Sequence, residues 1–251
     1  MNKSFLSDQC REIMLGMLLG DGSLKIHKPY KNARLSFRHS ITQKDYFFWK
    51  VEKLKEICSE SCWWKQEPNG LGGEMLRFQS LALESLTEIH KLTYHHNKLV
   101  IKRRWLNLLT PLSLTVWWLD DGSIIGNGRK AVLCTDPFTL EEQKILAQYL
   151  LKVWKVRVAI GKIKRERDGV IKEYYRLWFR SSEELKKFLL IILPHIPVAS
   201  MLYKAILLYK DSQLQQRWIS EIVKNTKFQE GLVSKLVEEK KSRYKSFQKM
   251  I

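Results

Sequence analysis

The sequence predicts an α+β fold built as two pseudo-symmetric halves, each running helix, two strands, helix, two strands, helix. The first observation behind this is an internal repeat. REIMLGMLLGDGS at residues 11 to 23 matches PLSLTVWWLDDGS at 111 to 123, so that Asp21, Gly22 and Ser23 fall on Asp121, Gly122 and Ser123. The second is that the patterns following each copy agree in kind and order, strand-like alternation giving way to runs of helical spacing. Duplication of one αββαββα unit within the chain accounts for both.

Taken in order, the apolar run Met14 to Leu19 reads as a helix closed by Gly20, Asp21 and Gly22. SLKIHK and ARLSFRHS follow as strands around a polar turn at Pro29 to Asn32, and Lys44 to Ile57 has helical periodicity. Strands SCWWKQ and EMLRFQS and the helix SLALESLTEIHKL complete the first half. The second half opens with the helix ending at Asp121 and passes a short segment with Gly126 and Gly128 to the strand AVLCT. It then enters the helix FTLEEQKILAQYLLKVW, where Thr139 and Glu142 form a capping box. VRVAIGKIKRE and KEYYRLWFRS flank an Arg-Asp-Gly turn, and SSEELKKFLLIIL is the closing helix. The patterns divide the chain into an N-terminal half, 1–107, a C-terminal half, 108–215, and a basic helical extension, 216–251. The end of that extension, EEKKSRYKSFQKMI, is expected to be partly disordered.

With 251 residues and 45% hydrophobic content the chain can bury a sizeable core. Its 44 Lys and Arg against 26 Asp and Glu give a net charge of +18, spread along the chain, which points to a polyanionic partner. A ribosomal or other basic protein would share that charge, so the motifs decide. The longest apolar run, Phe188 to Leu193, is far short of a membrane span, and the N-terminus lacks an apolar signal core. No membrane partner is therefore expected, and an intracellular setting is, in an organelle (mitochondrion or chloroplast) or the bacterial cytoplasm. Cys10, Cys58, Cys62 and Cys134 show no paired framework and fit a reducing compartment. Cys58 and Cys62 with His90, His95 and His96 depart from zinc-finger spacing, so buried thiols are the reading.

The C-terminal end of a helix is its negative pole, where cations are favoured, yet both repeated helices end in acid. One Asp-Gly-Ser after an apolar helix is most often only a turn. A turn needs the glycine and not the acid, and here the acid recurs in both halves. If the two helices pack together, with Gly16 and Gly20 leaving room and Trp117 and Trp118 supplying bulk, Asp21 and Asp121 meet and call for a cation between them. Carboxylate oxygens suit Mg²⁺ (or Mn²⁺), which can also take phosphate oxygens and acidify a water. The strands supply a cationic face: Arg34, Ser36 and Arg38 alternate with Leu35 and Phe37. Lys25, His27, Lys28, Arg77, Arg129, Arg157, Lys162, Lys164, Arg176 and Arg180 extend it, on β-ribbons of a size to enter a DNA major groove.

MLGMLLGDG (Met14 to Gly22) and LTVWWLDDG (Leu114 to Gly122), the lead-in LTPLSL, YKNARLSFRHS followed by KDYFFW, and IPVASMLYK carry a resemblance. Over roughly residues 8 to 210 the chain resembles the LAGLIDADG homing endonucleases in their single-chain, two-motif, intron-encoded form. The resemblance implies a saddle-shaped DNA-binding monomer with the motif helices at its seam. It implies a metal-dependent endonuclease that cuts both strands of a long double-stranded DNA target, leaves 3′ overhangs and so starts copying of the host intron. Asp21 and Asp121 would bind metal, with the backbone carbonyls of Gly20 and Asp120 completing the contacts. Lys98 and Lys204 would be the basic active-site residues. His39 (or Gln43) and Asp136 would occupy the polar second-strand position that orients water. An RNA maturase on the same scaffold, with intron RNA as partner, is the rival reading. A DNA-binding regulator without cleavage is a third, disfavoured by the two intact acids.

Overall fold

The computed structural model describes residues 6–68, 73–126, 128–167 and 169–248. The chain divides into two units, Met1–Asp120 and Asp121–Ile251. The first opens with α1 (Asp8–Leu19), whose N-cap hydroxyl, on Ser7, accepts the Cys10 amide. Strands β1 (Ser23–Lys25) and β2 (Arg34–Ser40), helix α2 (Lys44–Lys53), strands β3 (Trp63–Gln66) and β4 (Met75–Gln79) and helix α3 (Glu84–Thr93) follow. The strands form one antiparallel sheet in the order β1-β2-β4-β3. Alternation buries Leu35, Phe37, Leu76 and Phe78 on one face and turns Arg34, Ser36, Arg38 and Arg77 to the other. A two-residue turn with positive φ at His96 and Asn97 joins β5 (Tyr94–His95) to β6 (Lys98–Leu99). The short α4 (Arg103–Leu106) then leads to α5 (Pro111–Asp121).

All but the last residue of α5 belong to the first unit, where they pack on α1 with Trp117 and Trp118 fully buried. The approach is close at two glycines. A Cβ on Gly16 would lie 2.4 Å from the Ser113 carbonyl oxygen, and one on Gly20 would lie 2.5 Å from the Asp120 Cβ. The Ser113 hydroxyl ties the pair together by donating to the Glu12 carbonyl at 2.8 Å.

In the second unit β7 (Gly122–Ile125), β8 (Lys130–Leu133), α6 (Leu140–Trp154), β9 (Ala159–Arg167), β10 (Val170–Phe179) and α7 (Ser182–Ile192) repeat the order of the first. Their sheet, β7-β8-β10-β9, is again open and antiparallel. Counting α1 and α5 as the opening helices, both repeats read αββαββα, as the sequence predicts. The capping box forms: the Glu142 amide donates to Thr139 Oγ1 at 3.3 Å and the Thr139 amide to Glu142 Oε2 at 2.9 Å. Asp168, at the centre of the predicted Arg-Asp-Gly turn, lies outside the described residues.

In the C-terminal extension, whose basic end is expected to be partly disordered, α8 (Ser212–Asn225) is followed by α9 (Glu230–Ser242) and α10 (Lys245–Gln248). Residues 249–251 lie outside the described residues. Val233, Val237 and Lys240, one face of α9 at helical spacing, are buried, and so is Phe247. The density of surrounding charge hid that stripe. Lys240 donates from Nζ to the carbonyls of Tyr203 and Ile206, both at 2.7 Å. Burial holds its ammonium down at about 7, with Arg243 adding repulsion. Among the described residues no helix is long and apolar enough to cross a membrane.

Two outcomes follow from this packing. Gly16→Ala forces α1 away from α5 and should cost about 1–3 kcal/mol in a denaturant titration, the usual range for overpacking. An unchanged midpoint would show that the helices can separate freely. The Lys240 amine binds fewer protons folded than unfolded between about pH 7 and its ordinary value of 10.5, so its contribution to stability rises with pH across that window. The stability of the wild type relative to Lys240→Met should therefore climb from pH 7 to 10; a flat difference would contradict the buried placement.

Candidate active site

The motif helix α1 stops because the Gly20 and Gly22 amides both turn back to the Met17 carbonyl, at 2.9 and 2.7 Å. This presents Asp21 beyond the helix end with 40% of its side chain exposed. The Asp120 side chain, at the end of α5, is 0% exposed and takes the space that a side chain at Gly20 would need. Its Oδ2 accepts the Asp21 amide at 3.3 Å. On β2 the alternation that buries Leu35 and Phe37 also buries His39, whose Nδ1 lies 3.7 Å from Asp21 Oδ2 and 3.2 Å from Gln43 Oε1. The two alternatives for the first half's second-strand position thus stand in contact with each other. Asp21, His39 and Asp120 each offer one ligand atom, all within 4.8 Å of one another, a cluster able to coordinate a metal ion.

Two residues outside the sequence-predicted set, Lys50 and Tyr46, organise this cluster. Lys50, fully buried on α2, reaches Asp120 Oδ1 at 2.6 Å and His39 Nε2 at 3.1 Å. Its ammonium also lies over the Tyr46 ring, 4.5 Å from the centroid. Tyr46 donates its hydroxyl to Asp120 Oδ1 at 3.0 Å, and burial, reinforced by the Asp120 charge, pushes its phenol well above the ordinary value. An ammonium has only hydrogens to offer, so His39 Nε2 must accept, and the ring proton sits on Nδ1 facing Gln43 and Asp21. The signal in the sequence was faint: Tyr46, Phe47 and Lys50 share the buried face of α2, and a lysine on such a face implies a buried acid. The resemblance implies a role for Asp120 only through its backbone carbonyl, yet its carboxylate belongs to the cluster.

The remaining candidates scatter more widely. Lys98 is exposed at the start of β6, and Lys204 is buried in a 3₁₀ turn, Ala199–Lys204. In the second unit the Asp121 carbonyl accepts the Cys134 amide at 3.0 Å. Asp136 takes a two-pronged bond from Arg176, at 2.5 and 2.8 Å, and Arg165 stands 3.1 Å away. That carboxylate holds the Arg176 guanidinium above its ordinary value. Arg34 donates to Gln79 at 3.2 Å and stacks on Tyr30, while Ser36 shares a hydrogen bond with Ser23. Lys25, His27, Lys28, Arg38, Arg129, Arg157 and Arg180 are exposed. The register adds a residue to the first cationic face, because Trp64, 44% exposed, pairs with Arg77 and Arg77 with Arg38.

One cationic face does not form as expected. Lys162 pairs with Tyr175 and Lys164 with Glu173, positions that alternate with Arg176, so both lysines lie on the opposite side of the sheet from it. They are engaged there with Glu173, at 2.5 and 3.8 Å. The expectation failed because a one-residue offset between paired strands reverses a face. Arg165, not among the expected residues, shares the Arg176 face.

The sequence model of the LAGLIDADG DNA endonuclease family matches residues 11–188. Among curated proteins, the chain is 33% identical over 159 residues to the protein RecA of Mycobacterium gastri, covering 58% of this chain and 36% of that one. It is 28% identical over 204 residues to the cytochrome b mRNA maturase bI2 of Debaryomyces hansenii, covering 79% and 74%. The chain thus spans little more than a third of the RecA relative. Among solved structures it shares its fold with the homing endonuclease I-WcaI bound to its DNA recognition sequence, at 23% identity and a TM-score of 0.68 over 82% of this chain and 89% of that one.

The Lys50 and Asp120 pair can be tested without a substrate. Lys50→Ala strands a buried carboxylate and should cost about 3–5 kcal/mol of stability, most of it recovered when Asp120→Asn is added. Losses that simply add would mean that the two charges do not depend on each other.

Proposed function

The chain belongs to the LAGLIDADG DNA endonuclease family, and on that premise we propose that it is a site-specific endonuclease. It hydrolyses one phosphodiester on each strand of a double-stranded DNA target and leaves 3′ overhangs. The observation that carries this reading is the acid at the end of each motif helix, Asp21 beside His39 in one repeat and Asp121 in the other. The donor chemistry fits Mg²⁺ or Mn²⁺. Asp21 is an exposed hard-oxygen donor, whereas the Asp120 charge is already met by Lys50, so Asp21 is the first repeat's acid for the ion and Asp121 the second's. When bound, such an ion acidifies a water and offsets charge on the phosphate. The Gly20 and Asp120 carbonyls would add oxygen donors.

The chain's own groups do the rest. His39 Nδ1–H and Gln43 orient the attacking water in the first half, and Asp136 has that place in the second. Lys98 and Lys204 stabilise charge that develops on the phosphate. Arg34, Arg38 and Arg77, with Trp64, face the duplex in the first half, and Arg176 and Arg180 in the second. We take the protein to act as a monomer with three regions, 1–107, 108–215 and 216–251, inside an organelle or a bacterial cell. A second reading, intron RNA maturase, is favoured by the likeness to the bI2 maturase of Debaryomyces hansenii.

A pool of candidate insertion-site DNA should receive paired breaks with 3′ overhangs in Mg²⁺ and none in EDTA, and Asp21→Asn or Asp121→Asn should lower cutting at least ~100-fold. Affinity for the target should fall steeply between about 50 and 200 mM salt as phosphate counterions are released. Binding with no cleavage under any divalent ion would overturn the endonuclease reading. Intron splicing aided equally well by both Asn variants would establish the maturase in its place.

A further inference from the structure

Residues beyond 188 lie outside the family match, yet they supply a buried lysine of their own. Lys240 comes from α9 and crosses to the 3₁₀ segment Ala199–Lys204. Its two partners, the carbonyls of Tyr203 and Ile206, bracket Lys204 in sequence. They are backbone groups at the point where that helical turn ends, the place where carbonyls lose their internal partners. The Ala205 amide closes the turn onto the Leu202 carbonyl at 2.8 Å, and the Trp218 indole takes the Ala205 carbonyl at 3.2 Å. The backbone around Lys204 is thus held from α8 and from α9.

A lysine is a costly way to fill such a space. A buried cation pays for desolvation, and an apolar side chain of similar volume would pack as well or better if stability alone were at stake. What the amine adds is direction: its N–H groups fix two particular carbonyls, and with them the backbone from which the Lys204 side chain projects. With its ammonium lowered to about 7 by burial, the amine needs no acid beside it, and a neutral amine has two N–H groups for the two carbonyls.

We infer that Lys240 is a positioning residue, through which the C-terminal extension holds Lys204 in place for phosphodiester cleavage. The inference rests on the endonuclease reading and on the role given there to Lys204. It makes the extension a working part of the cleavage apparatus and not an appendage. Truncation or displacement of α9 would then silence catalysis while leaving the DNA-facing sheets intact.

The test uses the full chain and its own target DNA under single-turnover conditions, comparing wild type, Lys240→Met, Lys204→Met and the double variant. Val237→Ala, which removes packing from the same helix but neither hydrogen bond, serves as the control. Lys240→Met should cut about 10- to 100-fold more slowly, the scale expected from a small misplacement of a catalytic group. Its affinity for the target should be unchanged, and Val237→Ala should cut normally wherever it is folded. The double variant should be no slower than Lys204→Met alone, because a residue acting only through Lys204 has nothing left to lose. Multiplying losses, a wild-type rate in Lys240→Met, or an equal slowing in Val237→Ala would overturn the inference while the endonuclease reading stood. A wild type that binds DNA and never cuts it would end both.

Discussion

The close approach of α1 to α5 at Gly16 and Gly20 is the constraint on which the motif region depends. A Cβ on Gly20 would lie 2.5 Å from the Asp120 Cβ, so Asp120 can stand at that point only because residue 20 has no side chain. From there the Asp120 carboxylate caps the Asp21 amide, engages Lys50 and Tyr46, and through Lys50 sets the orientation of His39. Backbone contact and site electrostatics are therefore one arrangement. Widening the helix spacing would separate the acids and expose the ion pair together.

An acid at the negative pole of a helix needs compensation, and the structure supplies it unevenly. Asp120 receives a buried lysine and a phenol, which leaves it committed within the protein. Asp21, one residue from Gly20, stays exposed. The two neighbouring positions of the motif thus differ: one carboxylate is buried and holds the site together, and the other stands at its solvent-facing edge beside His39. A buried lysine also explains the neutral histidine, since the same ammonium that answers Asp120 requires an acceptor at His39 Nε2.

The two units repeat the same order of elements but not the same chemistry. The first has a histidine on the buried face of β2 next to its acid, with a lysine behind it. In the second, Asp136 stands beyond the end of β8, gripped by Arg176 and approached by Arg165. Arginine used in this way is partly withdrawn from any surface role, as are Lys162 and Lys164 through Glu173. The net charge of +18 therefore overstates the cations left uncommitted at the surface, and the first sheet, where Arg38 and Arg77 pair across strands beside Trp64, presents the cleaner basic surface.

Local pattern was enough to determine the element order, the repeat and the two motif acids, because period-2 and period-3.6 alternation, the capping box and the Asp-Gly stops are written within a few residues of one another. The same local information placed Lys162 and Lys164 on a face they do not occupy, since strand register is a relation between segments. Lys50 and Asp120 lie 70 residues apart, and Lys240 lies 34 from Ile206. No window along the chain joins them, and a lysine read by itself does not name its partner. The tertiary structure alone decided their partners, because only packing removes the water that would otherwise satisfy them.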